Sequence, residues 1–241
     1  MSLQRIGECH AQAVVVRGPS LYIAGYLGQF EDLVAGYEVE AREYAAGELL
    51  TRPGRINNTA FFVRSGLFRL SVRHDAGEKC LNIFGEGTMF PVGVELHEYW
   101  MEYEMVMRAI TDLSVYAMPY PVLKRIVREN GDFAGELLRE NCDFIGYLLM
   151  DSVNQAFEPC LSRLADVLYL YVTKVGAAER GVVALTQSEL AGFVGASRAQ
   201  FERSVKVLRK EGVIETARGH VTVLDEGKLL AHCSLGLQQS V

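Results

Sequence analysis

The chain has 241 residues, 49% of them hydrophobic and 22% charged, with a formal net charge of −6. That is enough apolar material for two packed domains without disulfide staples, and it excludes both a disordered chain and a generally polycationic one. Runs free of Asp, Glu, Lys and Arg reach only thirteen residues, at Gly18–Phe30 and Leu229–Val241, whereas a membrane span needs about 20. With no secretory-type apolar run near the start either, the expectation is a soluble, cytoplasmic protein without a membrane partner.

The cysteines, Cys9, Cys80, Cys142, Cys160 and Cys233, stand far apart, so no disulfide framework, metal site or cofactor is expected from them. Charge divides the chain unevenly. Residues 158–241 carry ten Lys and Arg against nine Asp and Glu, while residues 1–157 carry fourteen against twenty-one. The two parts are expected to do different work.

In chain order, Ser20–Tyr37 places Leu21, Ile23, Leu27, Phe30, Leu33 and Val34 at roughly helical spacing and predicts a helix. From Glu38 to about Tyr120, β-rich segments (Phe61–Val63, Leu67–Val72, Cys80–Phe84, Glu104–Ile110) alternate with turn signals. These include Ser65-Gly66, Asp75-Ala76-Gly77 and Gly85-Glu86-Gly87. Such spacing predicts an antiparallel barrel or jelly roll, and residues 1–130 are read as that domain. A long helix follows, from about Asp132 to Phe157 within the segment 131–157. Leu138, Cys142, Ile145, Leu149, Ser152 and Ala156 recur on it at the seam spacing of a coiled coil. A second stripe, Leu137, Asn141, Phe144 and Leu148, runs beside the first. A helix with two apolar faces can be buried inside one subunit, or can face the barrel on one side and a second copy on the other. The expected arrangement is the second, a homodimer.

Residues 158–241 form the back domain, and within it residues 185–214 carry the most chemistry. Thr186 with Glu189, and Ser197 with Gln200, each have the capping-box form and mark two helix starts, at roughly 187 and 198. Gly195 lies in the short turn between them. Leu190, Ala191, Val194, Phe201, Val205, Leu208 and Ile214 are spaced to pack both helices on one core, and Gly212 is placed to end the second. Helix, tight turn, helix is a DNA-reading unit. The second helix would expose Arg198, Ala199, Glu202, Arg203, Lys206, Arg209 and Lys210. Its arginines suit guanine edges or phosphate oxygens. Ile214–Thr216 and Val221–Leu224, with Arg218-Gly219-His220 between, predict a two-stranded wing with a basic tip. The expected DNA-binding set is Thr186, Gln187, Ser197, Arg198, Ala199, Gln200, Glu202, Arg203, Lys206, Arg209 and Arg218.

This stretch resembles the winged helix-turn-helix of the Crp/Fnr superfamily of bacterial transcription regulators. Ala60-Phe61-Phe62-Val63-Arg64-Ser65-Gly66 looks like that family's strand-to-glycine turn, Asp75–Leu81 like its hairpin, and Gly87-Thr88-Met89-Phe90 like the start of its ligand loop. The long helix before Pro159, Arg163 and Leu164 is similar to its dimerisation helix and hinge. The resemblance covers roughly residues 25–225. It implies an α+β fold: an N-terminal antiparallel β jelly roll of the cyclic-nucleotide-binding type, a dimerisation helix and a C-terminal winged helix-turn-helix. It implies no catalysis. The implied partners are double-stranded DNA with a palindromic operator, a second copy of the chain, a small effector and, for an activator, RNA polymerase.

The ligand loop departs from the cyclic-AMP branch. Where that branch has Gly-Glu and Arg-Ser, this chain has Pro91-Val92 and Tyr103-Glu104. A cyclic phosphate needs donors there, so cyclic AMP is not expected. The oxygen-sensing branch has a cysteine cluster near its N-terminus, where Cys9 stands alone, and His74 with Cys80 makes a poor haem pair. Tyr99, Met101, Tyr103, Met105 and Met107 alternate with Trp100, Glu102, Glu104, Val106 and Arg108. On a strand the Tyr/Met set shares one face and the glutamates the other; the resemblance places Tyr103 at an inward, ligand-contacting position and so implies that the Tyr/Met face points into the barrel. This is similar to the branch regulating reductive dehalogenation and anaerobic aromatic metabolism, although that branch's lysine appears here as Val92. The expected effector contacts are Phe84, Met89, Phe90, Met101, Tyr103, Phe144, Leu148 and Leu149, suiting an aromatic or apolar molecule. A barrel merely filled by Tyr and Met, a regulator controlled by its abundance or by thiol oxidation, and a cupin-like jelly-roll enzyme are the alternatives. The last would need histidines to converge, and His10, His74, His97, His220 and His232 are scattered.

Overall fold

The computed structural model describes residues 21–51, 58–75, 77–91, 104–174 and 181–238. The front part is a β-roll. Strand β1 (Tyr22–Ile23) leads through a 3-10 turn (Gly28–Phe30) into the short helix α1 (Glu31–Ala35). Strands β2 (Glu40–Tyr44), β3 (Thr59–Ser65), β4 (Phe68–His74), β5 (Gly77–Phe84), β6 (Met89–Phe90), β7 (Glu104–Ala109) and β8 (Leu113–Pro119) follow. They form two four-stranded sheets, ordered β1-β5-β4-β7 and β2-β8-β3-β6. Every pairing is antiparallel except β1 with β5.

The predicted helix over Ser20–Tyr37 is corrected by the structure. Leu21 and Ile23 are buried where the chain runs beside β5, and only Glu31–Ala35 is α-helical. The cause is backbone pairing near two glycines. Gly25 sits at φ +82°, and the N–H groups of Gly25 and Leu27 are taken by the carbonyls of Glu86 and Gly87. The crossing is close enough that a side chain on Gly87 would strike the Gly28 backbone at 2.8 Å. The four predicted strands are present. Strand β2 was not foreseen because Glu40–Tyr44 carries little apolar alternation, its side chains being half-buried or exposed.

Strand β3 shows why the front reads as continuously apolar. Phe61 and Val63 point into the roll with Phe68, Leu70, Phe84, Phe90, Met107 and Val115. Ala60 and Phe62 point the other way, under helices, with Met89, Met118, Leu123 and Phe133. A strand buried on both faces cannot alternate apolar with polar.

Helix α2 (Tyr120–Glu129) starts with Pro121 in its first turn, where the missing N–H costs nothing. Asn130 then breaks the helix in an extended conformation before α3 (Gly131–Phe157). Helix α3 ends where Glu158 becomes extended ahead of Pro159, as a residue preceding proline must tend to do. Helix α4 (Cys160–Lys174) begins the back domain. Strand β9 (Val182–Val183), helices α5 (Gln187–Val194) and α6 (Arg198–Lys210), the antiparallel wing β10 (Ile214–Ala217) with β11 (His220–Val223), and helices α7 (Glu226–His232) and α8 (Leu235–Gln238) complete it. Its core gathers Leu164, Leu168, Leu190, Phe193, Phe201, Leu208, Val213 and Val221, and extends without a break to Cys80 and Ile83 of β5. No described helix is long and apolar enough to cross a membrane.

Candidate functional site

Both capping boxes form. Glu189 N–H donates to Thr186 Oγ1 at 3.2 Å while Thr186 N–H donates to Glu189 Oε2 at 2.7 Å. Gln200 N–H and Ser197 N–H make the corresponding bonds at 3.4 and 3.2 Å. Gly195 closes α5 in the left-handed conformation at φ +61°, which an L side chain resists. Leu190, Val194, Phe201, Val205, Leu208 and Ile214 are buried and Ala191 is half-buried, so the inward face of the helix pair matches its spacing.

The outward face carries every residue expected at DNA. Thr186, Gln187, Ser197, Arg198, Ala199, Gln200, Glu202, Arg203, Lys206 and Arg209 are all exposed on α5, α6 and their caps, and Arg218 is exposed at the wing tip. Arg198 Nε donates to Glu202 Oε1 at 2.7 Å, one helical turn on. This pairing raises the guanidinium pKa further. The rest of the guanidinium points to solvent. Five exposed cations along one face of α6, Arg198, Arg203, Lys206, Arg209 and Lys210, ahead of a basic wing, suit a phosphate-flanked major groove.

The barrel interior brings together part of the expected effector set. Phe84 stacks on Phe68 at 5.1 Å and on Phe90 at 4.7 Å between ring centroids, and Phe144 of α3 closes over both at 5.6 and 5.7 Å. Two expected members are corrected. Met89 follows strand alternation to the opposite side of β6 from Phe90, into the core beneath α2 and α3. Leu149 is 65% exposed and lies with the seam, turned from the barrel. Leu148 is half-buried. Met101 and Tyr103, with Tyr99, Trp100 and Glu102, lie outside the described residues. On β7, Met107 is inside the roll and Arg108 is outside, donating to Gly47 O at 2.6 Å, while Met105 is exposed. Glu104 lies 3.8 Å from Arg73 of β4.

Pro91 has no backbone N–H to donate, and the rings of Phe84, Phe90 and Phe144 pack on one another where the barrel meets α3. Among the described residues, no group of three His, Cys, Asp or Glu side chains is placed to hold a metal. Cys80 and Cys233 are buried and burial pushes both thiols up, whereas Cys142 is exposed on α3.

On α3 the two stripes separate cleanly. Leu137 is buried and Phe144 is packed inward, while Leu138, Ile145, Leu149, Val153 and Phe157 are each more than half exposed, with Cys142, Ser152 and Ala156 also exposed beside them. An apolar row of this length is unusual on an isolated surface.

Sequence reasoning missed two features. Glu140 is fully buried, accepting the Met89 N–H at 3.1 and 3.3 Å, and burial raises its pKa to about 8. Its place three residues after Leu137 and four before Phe144 was a usable signal. Arg69 is also buried, paired with Glu78 and Glu189. On its strand it reads as an ordinary outward arginine, since nothing local announces that α5 covers it.

The Crp-like helix-turn-helix domain matches residues 162–232 and the cyclic nucleotide-binding domain matches residues 41–130. A search of curated proteins finds no match. Among solved structures, a CooA mutant from Carboxydothermus hydrogenoformans is 20% identical, with 85% of this chain and 91% of that chain covered and a TM-score of 0.65. CprK complexed with OCPA is 15% identical over 89% and 98% of the two chains, with a TM-score of 0.62. A Crp/Fnr-family transcriptional regulator from Eubacterium rectale is 17% identical over 85% and 93%, with a TM-score of 0.67. The chain thus carries a cyclic nucleotide-binding domain followed by a Crp-like helix-turn-helix domain, and its fold is that of the Crp/Fnr-family regulators.

Proposed function

We propose that the chain is a cytoplasmic, homodimeric, sequence-specific DNA-binding regulator controlled by an apolar or aromatic small molecule rather than by a cyclic nucleotide. The observation that carries the DNA-binding half is the outward face of α6, with Arg198, Arg203, Lys206 and Arg209 exposed on a helix capped at both its own start and that of α5. Arg203 is assigned to a guanine, and Lys206 and Arg209 to phosphates. The exposed row on α3 supports pairing of two copies about a two-fold axis, which would set two α6 helices about 34 Å apart on a palindrome.

The effector half rests on the Phe84–Phe90–Phe144 cluster, which joins barrel and α3 and offers no cationic group. A ligand that parts Phe144 from the barrel rings, or replaces it, would bias the position of α3. Selection of bound sequences from a random DNA pool is the deciding experiment. It should return an inverted repeat, and enrichment of no sequence over the input pool would reject the reading.

A further inference from the structure

The face of α5 opposite the proposed DNA surface is held along its whole length by the β4–β5 hairpin. At the N-terminal end, Arg69 of β4 pairs with Glu189, the third residue of α5. The same guanidinium lies 3.5 Å from Glu78 of β5. At the C-terminal end, Lys79 of β5 donates to the carbonyl of Phe193 at 2.6 Å and also to Asp151 of α3 at 3.1 Å. Gln155 of α3 donates to the carbonyl of Val194 at 2.9 Å. Between the two ends, Gly192 lies flush on the hairpin: a Cβ there would meet Glu78 O at 3.0 Å and Cys80 Sγ at 3.2 Å.

These contacts are not the scattered ion pairs of a surface. Arg69 is 7% exposed, and a buried arginine is retained only where its charge is matched. Lys79 is largely buried too, with its amine at the carbonyl end of α5, where a cation is favoured. The hairpin also reaches the barrel interior. Phe68 precedes Arg69 on β4 and faces inward onto Phe84 of β5, in the same aromatic cluster that Phe144 closes. Rigid strands thus connect the rings of the barrel with both ends of α5, and α6 follows α5 after a three-residue turn.

We propose that Arg69 and Lys79 are positioning residues for DNA recognition, holding the two ends of α5 so that α6 is presented at a fixed angle to the groove. The proposal rests on the DNA-binding reading and adds the route by which the barrel controls it. The strapped arrangement leaves the outward face of α6 uncovered by the rest of the described chain, as DNA binding requires.

The test uses the full chain and the duplex recovered from the random pool with wild-type protein. Arg69→Met and Lys79→Met should each weaken binding to that duplex about 5- to 50-fold, while affinity for an unrelated duplex changes less than twofold. Amide exchange over residues 189–195 should rise in both, and Arg69→Lys should recover part of the loss. Because Arg69→Met leaves Glu189 without its counter-charge, while Glu78 keeps Arg73, Glu189→Gln provides a second route: glutamine keeps the capping box but loses the charge pair. In a double-mutant cycle, Arg69→Met with Glu189→Gln should cost no more than either alone. Operator affinity within twofold of wild type, tighter binding, additive losses or equal losses on both duplexes would each overturn the proposal. If wild-type protein selects no sequence, the DNA-binding reading fails instead. The exchange measurement still tests the strap: unchanged protection in both Met variants rejects it.

Discussion

Ala199 sits beside Arg198 at the start of α6, exposed and unable to accept a hydrogen bond. A short methyl at that place suits a thymine methyl group and cannot accept from cytosine N4. An A·T pair is therefore expected at that step, and Ala199→Glu should shift the preference towards G·C in a binding selection. Arg203→Ala should cost about 1–3 kcal/mol and relax specificity at one position, whereas Lys206→Ala should weaken all duplexes alike and flatten the salt dependence. Equal losses from both substitutions on specific and random DNA would refute the division of roles.

Glu140 gives a second prediction at this scale, through pH. Burial raises its pKa to about 8 from an ordinary 4.5, so the unfolded chain loses this proton first as pH rises. The stability held by the neutral form is complete below about pH 4.5 and is lost as pH rises through about 8. Glu140→Gln keeps the shape and an acceptor for Met89 N–H but cannot ionise. It should stabilise the chain by about 2–4 kcal/mol at pH 9 and by little at pH 5. A difference in Tm between wild type and variant that stays flat across that range would exclude the mechanism.

At the scale of elements, α3 is the part whose role can be tested most simply. Its outer row is apolar and exposed while its inner row is packed, which is the division expected of a helix shared between a barrel and a second copy. Ile145→Glu combined with Leu149→Glu should give monomers by light scattering and abolish binding to the palindrome. Cys142 lies in the same exposed row, so mild oxidation should produce a covalent dimer on a non-reducing gel, and Cys142→Ser should prevent it. Wild-type protein that is monomeric at micromolar concentration would count against the pairing. The caps of α5 and α6 matter at this scale too. Ser197→Ala should cost about 1 kcal/mol of stability, because it leaves the Gln200 N–H without its acceptor.

At the scale of the whole molecule, the core of the back domain runs on into β5, so barrel and DNA-reading helices share packed residues such as Cys80, Ile83 and Phe193. An effector can act only through its preference between two arrangements of these parts. Thermal-shift screening of phenols, aromatic acids and cyclic nucleotides should find stabilisation by an aromatic compound. That compound should raise operator affinity by about 5- to 150-fold. Phe144→Ala should blunt the response. Stabilisation by cyclic AMP alone, or full affinity without any small molecule, would refute the aromatic reading.

Local rules were sufficient for the helix-turn-helix and wing of the back domain, though not for α4, β9, α7 and α8. A hydroxyl with Glu or Gln three residues on, a glycine in the turn and an apolar set at helical spacing each act within about a dozen residues, so α5, α6 and the wing were legible in the sequence. The two stripes of α3 were legible for the same reason: residues three and four apart on a helix are neighbours whatever surrounds them. Only tertiary structure decided the rest. Leu21 and Ile23 look helical until β5 offers their segment a partner strand. Met89 and Phe90 read as equal candidates until two cores on opposite sides of β6 separate them. Arg69 reads as a solvated arginine until α5 lies over it with Glu189. Each of these outcomes depends on an element distant in sequence supplying a hydrogen-bond edge, an apolar face or a counter-charge, and no local pattern encodes which element arrives.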